Sequence, residues 1–222
     1  MNQTIISALR RCPLFKDIAE QCLKSLLEGV CYKQIKLSRK EIYCLKGDVC
    51  TNVDIVINGE MTARMTGASG KQVEVIRLHP GEIVAPCFIF STDKTLPVEI
   101  EAATTTTILR MHPNSLAHLI DINPTIRCNF IRAISDIGAY LASKINFLSL
   151  LTAREKVMHF LCSEAAKQHS RHVSLNLSRQ NIADSFGIQK FSLLRCMSEL
   201  AKEGIIETNG REIVILDLNR LR

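Results

Sequence analysis

Helical spacing places a set of basic, hydroxyl and apolar side chains together near the carboxyl end of the sequence. At about 100° per residue, a helix from Lys190 to Glu203 would bury one apolar face, made of Leu193, Cys196, Met197 and Leu200. The opposite arc would carry Lys190, Phe191, Leu194, Arg195, Ser198 and Lys202. Arginine and lysine can bond guanine acceptors in the DNA major groove, and apolar groups can contact a thymine methyl. The second set is therefore a candidate base-reading surface.

The neighbouring residues predict the frame that would position this helix. A preceding helix fits Arg179–Phe186, with Ser178 as a candidate N-cap. Gly187 follows, where a tight turn between helices needs a residue that tolerates positive φ. Gly204 would end the second helix, and Asn209-Gly210 between two apolar runs is a strong hairpin signal. Helix, turn, helix and β-wing together predict a DNA-binding winged helix-turn-helix.

Two other classes of function compete with a DNA-binding regulator. The winged helix could contact protein in a ligand- or redox-binding module, but Arg179, Lys190 and Arg195 oppose this alternative because such a surface needs no charge. A simply solvated helix face would gain nothing from an exposed Phe191 or Leu194. The chain has no phosphate-binding glycine loop, no paired acid and base motif and no G-x-S-x-G. We therefore expect no catalytic residues and no enzyme.

The composition is that of an ordinary globular protein with room for two modest domains. The 222 residues are 46% hydrophobic and 23% charged. The net charge of +6 is shared, with 17 Lys+Arg against 14 Asp+Glu in residues 1–151 and 11 against 8 in residues 152–222. This excess is weak support for nucleic acid. No apolar stretch could span a bilayer and the start has no signal-peptide layout, so we expect a cytoplasmic protein without a membrane partner.

The nine cysteines predict neither a disulfide framework nor a zinc site. Their number is odd, and they include no C-x-x-C pair or zinc-finger spacing. Most are expected to act as small buried hydrophobic residues. Scattered thiols could still meet in three dimensions, so a redox role stays open.

The sequence divides into three predicted parts. Residues 1–121 are a sensor domain, in which short amphipathic helices precede β-rich runs from about residue 30 to 110. Residues 122–151 form a long helix and hinge, with the hinge expected at Phe147–Ser149. Residues 152–222 form the winged helix-turn-helix.

The long helix after Pro124 carries a pattern typical of self-pairing. Apolar residues recur at alternating spacings of four and three, with Lys144 in one slot: Phe130, Ile134, Ile137, Leu141, Leu148 and Leu151. The alternative is a helix packed on its own domain. Two-fold pairing would set two reading helices about 34–36 Å apart, one turn of DNA.

This order of elements resembles the cyclic-AMP receptor protein / fumarate-nitrate reductase regulator (CRP/FNR) superfamily over nearly the whole chain. The motifs that carry the resemblance are Cys12-Pro13-Leu14-Phe15, Lys46-Gly47-Asp48, Ile57-Asn58-Gly59-Glu60, Leu78-His79-Pro80-Gly81-Glu82 and Ser178-Arg179-Gln180-x-Ile182-Ala183. The resemblance implies an α+β fold: an antiparallel, cyclic-nucleotide-binding-like β-roll (a double-stranded β-helix), a long dimerisation helix and a C-terminal winged helix-turn-helix. It also implies a homodimer that binds a palindromic operator. RNA polymerase is the implied protein partner of this dimer.

For DNA contacts, the resemblance implies that Ser178, Arg179 and Gln180 hold phosphates and that Lys190 and Arg195 stand where relatives carry a base-reading cation. Many relatives have a glutamate between these two positions, and this chain has Phe191. That departure puts the usual half-site in doubt and suggests an apolar contact. The run QKFSLLR is similar to the R-P-S-L-S-R form of anaerobe members, including regulators of hybrid-cluster protein and nitrosative stress.

The sensor departs from the cyclic-AMP pattern of the superfamily. That pattern has Gly-Glu after the Pro-Gly-Glu turn and Arg-Ser/Thr about ten residues later, where the glutamate bonds the ribose and the arginine neutralises the phosphate. Here those positions read Ala85-Pro86 and about Leu96-Pro97, and no arginine lies between Arg77 and Arg110. Burying a cyclic phosphate without a cation is costly. We expect an effector other than cyclic AMP.

Other effectors are less sharply indicated. Cys12, Cys22 and Cys31 are nine to ten residues apart, unlike the tight cluster that holds iron–sulfur in the oxygen-sensing branch, so we do not expect that cofactor. Haem could use Cys87, His79 or His112, which could equally be a core thiol, a turn residue and a strand-end residue. The apolar run IVAPCFIF forms either core or an effector pocket, whose candidate lining is Ile83, Cys87, Phe88 and Val98.

Overall fold

The computed structural model describes residues 3–66 and 72–221. The chain divides between Gly138 and Ala139 into two compact units. The division falls within one long helix, and the two units are described separately below. No helix of the described residues is long and apolar enough to cross a membrane.

The amino-terminal unit is an antiparallel β-roll with helices on either side of it in sequence. Its elements are α1 (Gln3–Arg11), α2 (Glu20–Glu28), β1 (Tyr32–Leu37), β2 (Ile42–Cys44), β3 (Val53–Asn58), β4 (Met61–Thr66), β5 (Gln72–Leu78), β6 (Glu99–Ala102), β7 (Thr106–Met111) and α3 (Pro113–Ile122). One sheet has the order β1–β7–β3, and another has the order β2–β6–β4–β5. A short 3-10 helix, Pro86–Phe88, lies between β5 and β6.

Strand β3 is buried on both faces, which explains its nearly continuous apolar sequence VDIVIN. It pairs with β7 along one edge, with Val56 opposite Ile108. Along its other edge, the backbone of Val56 bonds to Gly81 and Glu82 in the turn after β5. The φ of Gly81 is +99°, a region that glycine adopts without strain. The Pro-Gly-Glu motif is therefore built into the roll beside its central strand.

Asp54 interrupts the apolar run of β3 and is paired inside the roll. Its side chain is fully buried, and its carboxylate accepts from Arg110 Nε and Nη2 at 2.8 and 2.7 Å. The Tyr43 hydroxyl donates to the same carboxylate at 2.5 Å. Tyr43 belongs to β2, so this network joins the two sheets. The bond to Asp54 raises the pKa of Arg110, which keeps the guanidinium charged.

Two long helices follow the roll, α4 (Pro124–Ser149) and α5 (Ala153–Gln168). Phe147–Ser149, where the sequence suggested a hinge, form the last turn of α4, so that prediction is wrong in position. The break lies at residues 150–152. Thr152 and Glu155 form a capping box at the start of α5, in which each side chain satisfies a backbone N–H of the other residue. This cap fixes where α5 begins.

The carboxyl-terminal unit contains the predicted helix-turn-helix and wing. After α5 come β8 (His172–Ser174), α6 (Arg179–Ser185), α7 (Lys190–Lys202), β9 (Ile206–Asn209), β10 (Glu212–Ile215) and α8 (Leu218–Leu221). The wing is a sheet of order β8–β10–β9. Gly187 and Gly210 have positive φ values of +65° and +58°, as the turn and the hairpin require. The predicted fold class is confirmed, and the three domain limits stay a prediction.

Removing the cation from the buried network should destabilise the roll. In Arg110→Met, the Asp54 carboxylate would be left buried without its partner, and we expect the free energy of unfolding to fall by about 3–5 kcal/mol. Urea denaturation measures this change. The matched control is Arg64→Met, which removes a less buried pair with Glu101 and should cost about 1 kcal/mol or less. Equal losses in the two variants would contradict the structural role of the network.

Candidate nucleic-acid interface

The candidate reading face of α7 is exposed along its whole length. The six side chains of this face are exposed: Lys190, Phe191, Leu194, Arg195, Ser198 and Lys202. Phe191 and Leu194 expose 73% and 42% of their surface and lie three residues apart on this face. Arg195 lies 3.7 Å from Glu199 one turn later, a weak surface pair. Cations and apolar groups thus share one accessible face.

The opposite face of α7 is buried in the core of the carboxyl-terminal unit. This core contains Leu193, Cys196, Met197 and Leu200, as the helical spacing predicts. Burial raises the pKa of the Cys196 thiol, so this cysteine stays protonated at neutral pH and acts as an apolar side chain. The core therefore fixes which side of α7 faces outward.

Ion pairs near the carboxyl end of α7 tie it to other elements. Arg154 at the start of α5 makes a bidentate pair with Glu203, with N···O distances of 2.8 and 2.7 Å. Arg220 of α8 lies 3.4 Å from the same carboxylate. These contacts lower the pKa of Glu203 and raise that of Arg154. Sequence reasoning missed them because their residues are far apart in the chain.

The three residues predicted to hold phosphates occupy the start of α6. Ser178 is the N-cap, and its hydroxyl accepts from the Asn181 N–H at 3.1 Å. Arg179 is half-buried and donates from Nη2 to the Gly210 carbonyl of the wing at 2.8 Å. Gln180 is exposed and donates to Asp184 within α6 at 3.0 Å. Arg179 thus joins the first helix to the wing turn, a contact that the sequence did not indicate.

The predicted pairing residues have unequal surroundings along α4. Ile134 and Ile137 are half-buried, whereas Leu141 and Leu148 are exposed. Phe130 packs on the core of the roll, with its ring 5.6 Å from that of Phe90 in an edge-to-face contact. Their use in dimerisation stays a prediction.

The predicted effector-pocket residues lie on the core of the roll. Ile83 is buried in that core and forms an isolated bridge with Ile55 of β3. Phe88 and Val98 are half-buried against the same core, and Cys87 is half-buried in the short 3-10 helix. A pocket lined by them stays a prediction.

The candidate ligands for haem or an iron–sulfur cluster differ in their surroundings. His112 Nδ1 accepts from Asn114 N–H as the N-cap of α3, and His79 Nδ1 is 3.4 Å from Glu60. Burial raises the pKa of Cys12 to about 12, while Cys22 and Cys31 are exposed. Within residues 3–66 and 72–221, no cluster of three His, Cys, Asp or Glu residues could hold a metal ion.

Comparison with known proteins joins these two units to one family. Residues 155–222 match the Crp-like helix-turn-helix domain, and residues 34–123 match the cyclic nucleotide-binding domain. The two matches follow in this order along one chain. The chain belongs to the CRP/FNR family of transcription regulators. It is therefore a DNA-binding regulator and not an enzyme.

CRP/FNR regulators from several bacteria align with most of this chain at low sequence identity. The transcriptional activator protein anr of Pseudomonas aeruginosa is 27% identical over 187 residues, which cover 82% of this chain and 75% of that protein. The cAMP-activated global transcriptional regulator CRP of Escherichia coli is 18% identical, over 81% of this chain and 88% of that one. The solved structure of a CooA mutant from Carboxydothermus hydrogenoformans has a TM-score of 0.61 at 21% identity, covering 89% of this chain and 88% of that chain, and supports the fold.

Proposed function

We propose that this CRP/FNR regulator reads a palindromic operator as a homodimer and that its roll responds to an effector other than cyclic AMP. The observation that carries the DNA part of the proposal is the exposed face of α7, whose opposite face is locked in the core. Lys190 and Arg195 can donate to guanine O6 and N7, and Phe191 and Leu194 can contact thymine methyl groups. Ser198 and Lys202 extend the same contact surface along α7.

The start of α6 supplies contacts to the DNA backbone. Ser178 and Gln180 stand exposed at the first turn, where backbone N–H groups favour an anion. Arg179 also orients the wing through Gly210, so its guanidinium has a structural role besides any phosphate contact. Backbone contacts of this kind set the register of a protein on a duplex, and base contacts then select the sequence.

The partner of α4 in this proposal is a second copy of the chain. An apolar stripe with alternating spacings of three and four runs along one face of the helix, and consists of Ile131, Ile134, Gly138, Leu141, Ile145 and Leu148. It shares Ile134, Leu141 and Leu148 with the pattern described from sequence, but it passes beside Phe130 and Lys144. Lys144 is not part of this stripe, and its ammonium lies 5.7 Å from the centroid of the Phe147 ring.

Glycine at position 138 supports close packing of two helices. Glycine destabilises a helix interior by about 1 kcal/mol relative to alanine. A Cβ at Gly138 would meet no atom of the described chain within 4 Å. Close packing within one chain therefore does not explain why this position has a glycine. A second α4 crossing here would bring its backbone close and bury Ile131 and Ile145, which expose 58% and 64% of their surface.

At the two described positions where the superfamily pattern has its phosphate-binding residues, this roll carries other side chains. Leu96 is buried in the core at the position where an arginine is expected, and Pro86 opens the short 3-10 helix and has no N–H to donate. Arg110 uses Nε and Nη2 on Asp54. The effector is therefore of another class, a gas bound at haem, a redox signal or a small molecule, and Ile83, Cys87, Phe88 and Val98 are the lining that we propose for it. An absorption spectrum of protein purified without oxygen would distinguish haem from a colourless effector.

Two further parts of the proposal concern the cell. A regulator bound at an operator acts by helping or blocking RNA polymerase, so we propose that enzyme as a protein partner. We also propose that the protein works in the cytoplasm, where it would meet both RNA polymerase and chromosomal DNA.

Selection from a random duplex library tests the reading function. We expect the protein to enrich an inverted repeat whose half-site centres lie about 10 base pairs apart. Arg195→Ala should lose about 1–3 kcal/mol of preference at one base pair of each half-site, measured by fluorescence anisotropy on duplexes that differ at that pair. Lys167→Ala is the matched control, because Lys167 is an exposed cation of α5 paired with Glu164. The same loss in the control, or no enriched sequence, would contradict the assignment.

Disrupting the stripe on α4 should separate the two copies. In Ile145→Glu, two carboxylates would face each other across the two-fold axis, and we expect a monomer in sedimentation velocity at micromolar concentration. Ile76→Glu is the control, because Ile76 is also an exposed isoleucine but lies on β5 of the roll. A dimer that survives Ile145→Glu, or a wild-type protein that is monomeric, would refute pairing through this face.

Cyclic AMP should not bind the roll. Isothermal titration of the protein with cyclic AMP is expected to show no binding heat up to about millimolar ligand, since Leu96 stands where the superfamily pattern has an arginine and Arg110 is engaged with Asp54. The CRP protein of Escherichia coli serves as the positive control. A micromolar Kd for this chain would show that the phosphate finds another partner and would overturn this part of the proposal.

A further inference from the structure

Lys156 is a buried cation near the helix-turn-helix. Its side chain is 6% exposed, and its ammonium donates to the carbonyls of Leu148 at 2.9 Å and Phe186 at 3.1 Å. Lysine is almost never fully buried unless its charge is satisfied, so these two acceptors account for its position.

Both acceptors belong to the ends of helices. Leu148 lies in the last turn of α4, and Phe186 is the C-cap of α6. Carbonyls in such positions have no partner within their own helix and carry the negative end of its dipole. Lys156 itself lies in the first turn of α5, where the dipole of its own helix disfavours a cation. One ammonium therefore links the ends of two other helices.

Two more contacts join the same elements. The Phe147 ring lies 5.4 Å from the Phe186 ring in an edge-to-face arrangement. Leu148 also lies next to Gly187, since its Cδ2 is 4.0 Å from the position that a Cβ on this glycine would take. The last turn of α4 thus contacts the residues that form the turn between α6 and α7. The direction of α7 is set at this turn.

We propose that Lys156 is a positioning residue for DNA reading, which ties the last turn of α4 to the turn before α7. Through this tie, the angle of each reading helix follows the helix that pairs the two copies. The spacing between two half-sites then depends on Lys156, whereas contact with one half-site does not. The inference rests on the proposed homodimer, and a readout that does not involve DNA is included for that reason.

The test compares Lys156→Met with Lys156→Arg and with Lys167→Met. Methionine keeps the apolar stem and removes the donors, arginine keeps cationic donors, and the control removes an exposed lysine from the same helix. Anisotropy is measured on the duplex selected by the wild-type protein, on its single half-site, and on versions with the half-sites one base pair closer or further apart. Amide hydrogen exchange is measured at residues 186–190 and, for comparison, in β10.

Lys156→Met should bind the single half-site with an affinity within twofold of that of the control. Its affinity for the selected duplex should fall at least tenfold, and it should bind the duplexes of different spacing equally well. The amides of residues 186–190 should exchange at least tenfold faster than in the wild-type protein, with exchange in β10 unchanged. Lys156→Arg should recover most of the DNA affinity and most of the protection from exchange. If Lys156→Met binds DNA and exchanges its amides as the wild-type protein does, the inference is overturned. It is also overturned if the variant loses the same affinity for the half-site as for the full site and its amides exchange faster in β10 as well as at residues 186–190. If the wild-type protein selects no inverted repeat, the homodimer proposal fails, and the exchange of residues 186–190 alone decides the role of Lys156.

Discussion

Burial of one face of α7 fixes the rotation of this helix about its axis, and the candidate interface depends on that constraint. Leu193, Met197 and Leu200 enter the core of the carboxyl-terminal unit, and full burial of such a side chain contributes about 1.5–3 kcal/mol. Turning α7 by one residue would expose much of this surface. The same packing leaves Phe191 and Arg195 outside. The hydrophobic core of this unit therefore determines which side chains of α7 face outward.

In our proposal, the amino-terminal unit keeps the fold of the family but does not bind cyclic AMP. The central strand, the Pro-Gly-Glu turn and the antiparallel sheets are all present. In the interior, Asp54, Tyr43 and Arg110 form a closed network that joins the sheets, and Leu96 fills a core position. A buried carboxylate is costly unless it is paired, so this network holds its arginine firmly. The change of effector in our proposal follows from these local substitutions and needs no change of fold.

Local patterns in the sequence predicted much of the carboxyl-terminal unit. The period of α7, the glycines at 187 and 210 and the N-cap at Ser178 act over a few residues, and each was confirmed in the structure. Contacts between distant residues could not be found this way. Arg179 meets Gly210, and Lys156 meets Phe186, 31 and 30 residues away. Periodicity does not reveal such pairs.

The hinge and the pairing face show a different limit of sequence reasoning. The sequence suggested a hinge at Phe147–Ser149. The capping box of Thr152 and Glu155, which was also present in the sequence, is the signal that marks the start of α5. On α4, patterns that include Phe130 or Ile131 have the same spacing, and the contact between Phe130 and Phe90 is our reason for proposing the pattern with Ile131. That contact is a tertiary one, so spacing alone could not decide between neighbouring faces of one helix.

The most direct test of the central claim is dimethyl sulfate protection on the duplex that the protein selects. Dimethyl sulfate methylates guanine N7 in the major groove and adenine N3 in the minor groove, so it reports which groove α7 occupies. We predict two clusters of protected guanine N7 atoms, about 10 base pairs apart, that become reactive again in Arg195→Ala. Protection confined to adenine N3, or guanine N7 atoms as reactive as in free DNA, would contradict the account.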